Sequence, residues 1–350
     1  MKFKDLFGLR KINKDIKRGE HSNPHERSKF AIGEESGNSM IDEESESIIE
    51  DKGSENRAVD IEYYLGKYKL MLKGFHDLAR FQKEFPLYDQ FLPIFCSNFK
   101  GLIIDIGANI GDTAIAIFSK NDHSFIVSVE PDIDFYNDCL HNIFNNSLNE
   151  RSLLVNKFVS TKTGSYILKK SESLSTGSID ELKQETSEIN NTISFSELMD
   201  LVPKAKKEIF DILKIDTDSF DWDVLQSFAE YARKGEIKPR FVFFEMQTFI
   251  NNNENSYEGR HEIIDNYKQA LIELKTLGYT RFCLFDNFGT YFKTTESIDE
   301  IIELAFYIKR SQLFNSHSTV YYFDILAYSE NESVIVNDTI SEIYKDETFS

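Results

Sequence analysis

The chain has 350 residues, 41% of them hydrophobic and including 30 Phe and 16 Tyr, which suffices for one large domain or two small ones with a sizeable core. A formal net charge of −19 excludes a nucleic-acid partner held mainly through its phosphates, because that needs a basic face. No apolar run approaches the roughly 20 residues of a membrane span. The N-terminus lacks the apolar segment of a signal peptide, and the scattered Cys96, Cys139 and Cys283 read as free thiols, so a cytoplasmic protein is expected.

Met1 to Arg18 carries seven Lys or Arg against Asp5 and Asp15. Its apolar side is interrupted by Arg10, Lys14 and Lys17, which implies a solvated tail, with weak docking to an anionic membrane surface as the alternative. Residues 34–56, "EESGNSMIDEESESIIEDKGSEN", hold nine acids against Lys52 and read as a linker. Residues 1–57 are therefore expected to be basic tail and acidic linker, and 58–100 an N-terminal helical segment. The acidic 329–350 is expected to be a fraying tail.

Between these, 101–328 alternates short β-rich runs with helical ones. Strands are expected at 102–106, 124–129, 153–159, 210–215, 241–244, 281–285 and 321–327, with a short one at 165–168. Helices are expected at 113–119, 132–144, 197–202 with Ser196 as the cap, 221–233, 259–277 and 298–309. The polar 171–191 reads as an irregular insertion. Such alternation means βαβ units and an α/β fold with a mostly parallel sheet.

The first strand breaks abruptly in "LIIDIGANIGDTAIAIF". In an open α/β sheet ligands bind beyond the carboxyl ends of the strands, where strand order reverses. Gly107 allows a tight turn, and Gly111 lets the next helix begin close to a ligand, with free N–H groups at its N-terminus. The G-A-N-I-G spacing is not the G-x-G-x-x-G that cradles a pyrophosphate. Asp105 would repel a pyrophosphate but suits a ligand carrying an ammonium group, such as S-adenosylmethionine. Glu130 ends the next strand, where a carboxylate can accept both ribose hydroxyls. The plain alternative is that Asp105 and Glu130 only cap loops.

"IIDIGANIGDTAI" followed by "VSVEPDIDFYNDCLHNI" resembles the FkbM-type family of class I S-adenosylmethionine-dependent methyltransferases. "LLVNKFVSTKTG", "TISFSELM", "ILKIDTDSFDWDVLQSF", "FVFFEM", "LFDNFGTYF" and "YYFDILAYS" extend the likeness over residues 102–328. The resemblance implies a Rossmann-like fold with a seven-stranded sheet, helices on both faces and an antiparallel last strand. It implies S-adenosylmethionine as cofactor, contacted by Asp105, Gly107, Ala108, Asn109, Gly111, Asp112, Glu130, Pro131, Ser160 and Asp216. The chain departs from the pattern where Asp218-Ser219 stands in place of Glu-Gly.

The resemblance further implies O-methylation of a sugar, glycan or other small-molecule acceptor. A hydroxyl must lose its proton on transfer, which calls for a general base or a metal. Asp216, Asp218 and Glu245 follow apolar strands near the expected crevice and are the candidate catalytic groups. Asp216 with Asp218 or Glu245 could alternatively hold Mg²⁺. His261 and His317 are secondary candidates, and Asp221 and Trp222 read more simply as loop and packing residues. The competing readings are a non-catalytic binding module on the same fold and a nicotinamide-dependent oxidoreductase; the missing G-x-G-x-x-G counts against the latter.

Overall fold

The computed structural model describes residues 60–344 apart from 75, 163–165, 171–176, 182–190, 219, 249–256 and 315–319. The basic tail, the acidic linker, Ser219 and His317 lie outside the described residues.

The described chain opens with a hairpin, β1 (Ile61–Leu65) and β2 (Tyr68–Leu72), where a helix was expected. Gly66, at φ 59°, supplies the left-handed turn between them. Leu65, Leu70 and Leu72 point into the core at strand spacing, and Ile, Tyr and Tyr populate β1, so period 2 prevails over the helical one. Helices follow only at α1 (Leu78–Glu84) and α2 (Phe91–Phe95).

Next come β3 (Leu102–Ile106), α3 (Asp112–Lys120), β4 (Phe125–Val129) and α4 (Ile133–Asn145). Asp132 caps α4, accepting from the N–H groups of Asp134 and Phe135. The strand expected at 153–159 is two: β5 (Ser152–Val155) and β6 (Phe158–Val159). The Asn156 amide between them turns to donate to the carbonyls of Glu130 and Pro131. The short strand expected at 165–168 is β7 (Tyr166–Lys170), and it pairs in a hairpin with β8 (Gly177–Glu181), which falls within the expected irregular insertion. β9 (Thr192–Ile193) pairs with β6, and α5 (Phe195–Leu201) begins two residues earlier than expected. Ser194, not Ser196, caps it, in a reciprocal capping box with Glu197.

The remaining elements are β10 (Phe210–Ile215), α6 (Asp221–Ala232), β11 (Phe241–Gln247), α7 (Tyr257–Thr276), β12 (Arg281–Asp286), β13 (Tyr291–Thr295), α8 (Ile298–Phe314), β14 (Tyr322–Tyr328) and α9 (Ser333–Tyr344). The central sheet runs β13-β12-β14-β11-β10-β3-β4-β5, eight strands instead of the expected seven. The addition is β13, a hairpin partner of β12. The strands from β5 through β10 to β11 are mutually parallel, and β14 inserts antiparallel between β11 and β12.

The sheet packs on both faces. On one, Phe195, Phe228, Tyr267 and Ile301 bring α5 to α8 against it. On the other, Leu70, Phe95, Ile115, Ile143 and Val336 bring the first hairpin, α2, α3, α4 and α9. The expected C-terminal tail is thus largely a packed helix, and the Tyr344 hydroxyl donates to the Gly289 carbonyl. Asn142 of α4 and its C-cap Asn146 fasten the hairpin: Asn146 exchanges hydrogen bonds with the Lys69 backbone, and Asn142 accepts from Met71 N–H while donating to Ile110 O. All three cysteines are buried free thiols.

Candidate active site

The chain runs outward from β3 to β4 and β5, then returns to place β10 on the other side of β3. The gap beyond β3 and β10 is therefore the switch point at which open α/β sheets take ligands. Two glycines shape it. Gly107, at φ 81°, lies so close to β10 that a Cβ would sit 1.7 Å from the Asp216 carbonyl oxygen. Gly111, at φ 83°, caps α3, and a Cβ there would meet Cys139 Sγ at 2.8 Å. Between them the N–H groups of Gly107 and Ala108 both donate to Val129 O, binding the turn to β4.

Glu130 joins the two loops. Its Oε2 accepts from Asn109 N–H and its Oε1 from Asp132 N–H, each at 2.8 Å. Burial nevertheless pushes its carboxyl up to about 7, against the pull of those two N–H groups. Pro131 holds the Asn156 amide through its carbonyl. Ser160 is buried, its Oγ accepting from Lys162 N–H and its own N–H donating to Ile193 O. Glu130, Pro131 and Ser160 thus fall beyond β4 and β6, on the β3 side of the switch.

Asp105 is placed differently from the expectation. Its carboxylate is fully buried and faces the chain's own ammonium, Lys214, at 3.0 Å, so it does not offer itself to a ligand's ammonium. Burial raises Asp105 to about 6, opposed by Lys214. Lys214 also reaches Asp216 at 3.2 Å and the Gly107 carbonyl at 3.3 Å. Burial alone would depress Lys214, but the charges of Asp105 and Asp216 outweigh it and hold the ammonium well above its ordinary value. β10 thus carries a buried cation to the switch point. The sequence assigns Lys214 no role, because a lone Lys in an apolar run carries no signal of its partners.

A cleft enclosing about 790 Å³, mouth included, opens from Asp112 and Lys214 across β11 and β14. Asp216 and Glu245 line it, as expected; Asp105, Glu130, Ser160 and Asp218 do not. Asp218, in a left-handed conformation at φ 50°, is half-buried in the loop behind, raised by burial and by the charges of Asp216 and Asp221. Glu245 is buried, and its Oε1 meets no hydrogen-bond donor. Burial first, then the charges of Asp216 and Asp324, drive its carboxyl well above the usual range. The N-terminal segment closes the cleft with Tyr88 and Asp89, and β14 adds Tyr322 and Asp324. None of these four was singled out from the sequence.

Asp221 is a brace. One oxygen accepts from Thr217 N–H and Oγ1 at 2.8 and 2.6 Å, the other from Glu245 N–H at 2.9 Å, which ties the loop after β10 to the end of β11. Trp222 stacks on Phe220 and packs against the core. His261 lies on α7 beside Lys309, away from the cleft lining. Among the described residues no three His, Cys, Asp or Glu side chains form a group that could hold a metal ion, and no helix is long and apolar enough to cross a membrane.

A methyltransferase FkbM domain matches residues 105–281, half of the chain and all of the switch-point loops. The chain belongs to the methyltransferase FkbM family. Solved structures similar to this FkbM chain include two methyltransferases. One is the precorrin-6y C5,15-methyltransferase of Geobacter metallireducens GS-15, at 10% identity over 68% of this chain and 86% of that one, with a TM-score of 0.33. The other is an O-methyltransferase of Bacillus cereus in complex with S-adenosylhomocysteine, at 14% identity over 69% and 80%, with a TM-score of 0.36. No curated protein matches. The matched span leaves out the first hairpin, α1, α2 and β14, and with them Tyr88, Asp89, Tyr322 and Asp324.

Proposed function

We propose that this FkbM methyltransferase O-methylates a hydroxyl of a sugar or another small polyhydroxylated acceptor, with Glu245 as general base. The observation that carries the reading is Glu245 itself: a buried carboxylate on β11, its Oε1 without a donor, in the cleft beside the switch point. A carboxylate oxygen with no donor of its own is open to take the proton of an acceptor hydroxyl.

The cradle fits the cofactor. Gly107 and Gly111 keep the backbone clear, and Glu130 keeps lone pairs for ribose hydroxyls beyond the two N–H groups that orient it. When bound, S-adenosylmethionine supplies an activated methyl whose bond to sulfur breaks with its electron pair left on sulfur. Glu245 Oε1 takes the acceptor hydroxyl's proton as the oxygen–carbon bond forms. Asp216, half-exposed and held by Lys214, keeps the cofactor end of the cleft in place.

Calorimetry with S-adenosylhomocysteine and turnover on a hydroxyl acceptor test this together. Glu130→Ala should abolish S-adenosylhomocysteine binding. Glu245→Gln should keep it and lower turnover by about 10²–10⁴-fold. Full activity in Glu245→Gln, or normal binding in Glu130→Ala, refutes the respective assignment.

A further inference from the structure

The cleft carries more carboxyl groups than the cofactor can balance. Asp89, Asp112, Asp216, Glu245 and Asp324 line it, against Lys214 as the one cation in its lining. Lys214 is already paired with the buried Asp105 and with Asp216. None of the other four meets a Lys or Arg within ion-pair distance among the described residues. S-adenosylmethionine brings a sulfonium, an ammonium and a carboxylate, one net positive charge, and would leave most of this excess in place.

The excess is also in a particular place. Glu245 and Asp324 are directly opposite each other on the antiparallel pair β11 and β14. Like charges so placed, with Cβ atoms about 4.5–5.5 Å apart, are destabilising. Burial and the neighbouring Asp216 and Asp89 charges push Asp324 well above the usual range, as they do Glu245 from their side. Both strands lie on the far side of β10 from β4 and Glu130, hence over the acceptor half of the cleft. Glu245, whose Oε1 has no hydrogen-bond partner, lines the same space, and Tyr88 and Tyr322 supply aromatic walls. Carboxylates beside tyrosine rings are the chemistry that holds an ammonium ion.

We propose that the acceptor is a hydroxylated amine, an amino sugar or amino alcohol, whose cationic nitrogen sits against Asp324 and Asp89 beside Tyr88 and Tyr322 while its hydroxyl faces Glu245. This rests on the methyl-transfer reading and narrows its acceptor class. The amine fixes the acceptor's orientation and compensates the like-charge pair.

The test is calorimetry on the full chain saturated with S-adenosylhomocysteine, using two probe pairs that differ only by an amine: glucosamine against glucose, and 2-aminoethanol against ethylene glycol. The amine of each pair should bind about tenfold or more tightly than its neutral partner. Asp324→Asn and Asp89→Asn should each cut that preference several-fold with S-adenosylhomocysteine binding unchanged; Asp89 is exposed, so its variant keeps the fold. Equal or better binding of the neutral partners, or binding of neither pair while S-adenosylhomocysteine binds normally, overturns the amine proposal and leaves methyl transfer standing. Failure of S-adenosylhomocysteine itself to bind overturns both.

Discussion

Replacing Lys214 by Met should destabilise the fold in a pH-dependent way. Met keeps the length and most of the volume but removes the ammonium 3.0 Å from a carboxylate that has no exposure. In the native protein Asp105 titrates at about 6, above an unfolded value near 4. A raised carboxyl of this kind contributes stability that is full below its unfolded value and lost as pH climbs through its folded one. Without Lys214 the folded value moves higher still, so the variant keeps losing stability above pH 6, where the wild type has stopped. Below about pH 6 Asp105 is protonated in both folded proteins and this difference vanishes. Above it the difference grows by about 1.4 kcal/mol per pH unit, reaching roughly 3 kcal/mol at pH 8. Asp216, half-exposed, adds about 1 kcal/mol at most. Urea denaturation of both proteins at pH 5.5 and pH 8 measures the difference. Lys214→Met with Asp105→Asn should recover most of the loss at pH 8, a coupling of about 1–3 kcal/mol. A loss of equal size at both pH values, or strict additivity in the double variant, refutes the pairing as the cause.

Gly107→Ala should abolish S-adenosylhomocysteine binding and lower the melting temperature, because φ is 81° and the new Cβ would overlap the Asp216 carbonyl at 1.7 Å; calorimetry and a thermal melt read both, and normal binding would be inconsistent with so close an approach. The ligand-free wild type should melt several degrees higher at pH 5.5 than at pH 8. Asp105, Glu130 and Asp221 are pushed up to about 6, 7 and 7 by burial, so their stabilising protonation is lost as pH rises through that window. A melting temperature that rises over the interval would show that these carboxylates do not govern it. Asn142→Leu should destabilise by about 1–3 kcal/mol, because it leaves Met71 N–H and Ile110 O without the buried amide that joins the hairpin to the cofactor loop; a neutral result would mean that the hairpin is held by its leucines alone.

What the sequence by itself determined is what local pattern encodes. β3, β10 and the turn between β3 and α3 follow from five- and six-residue apolar runs and from glycines spaced where only positive φ and a missing Cβ will do. The position of Glu130 at the end of β4 is equally local, as is the Asp132 cap after it. The FkbM resemblance rested on these ordered segments. The tertiary structure decided the rest. Residues 61–72 contain both periods, and Gly66 with Asn142 and Asn146 selects the hairpin. Asp105 reads as a ligand-facing acid until β10, more than a hundred residues later, lays Lys214 beside it. Asp324 is one polar residue in an apolar strand, and only the antiparallel insertion of β14 sets it opposite Glu245. Electrostatic roles of this kind depend on partners distant in sequence and on the low dielectric around them, and neither is written in the spacing of one segment.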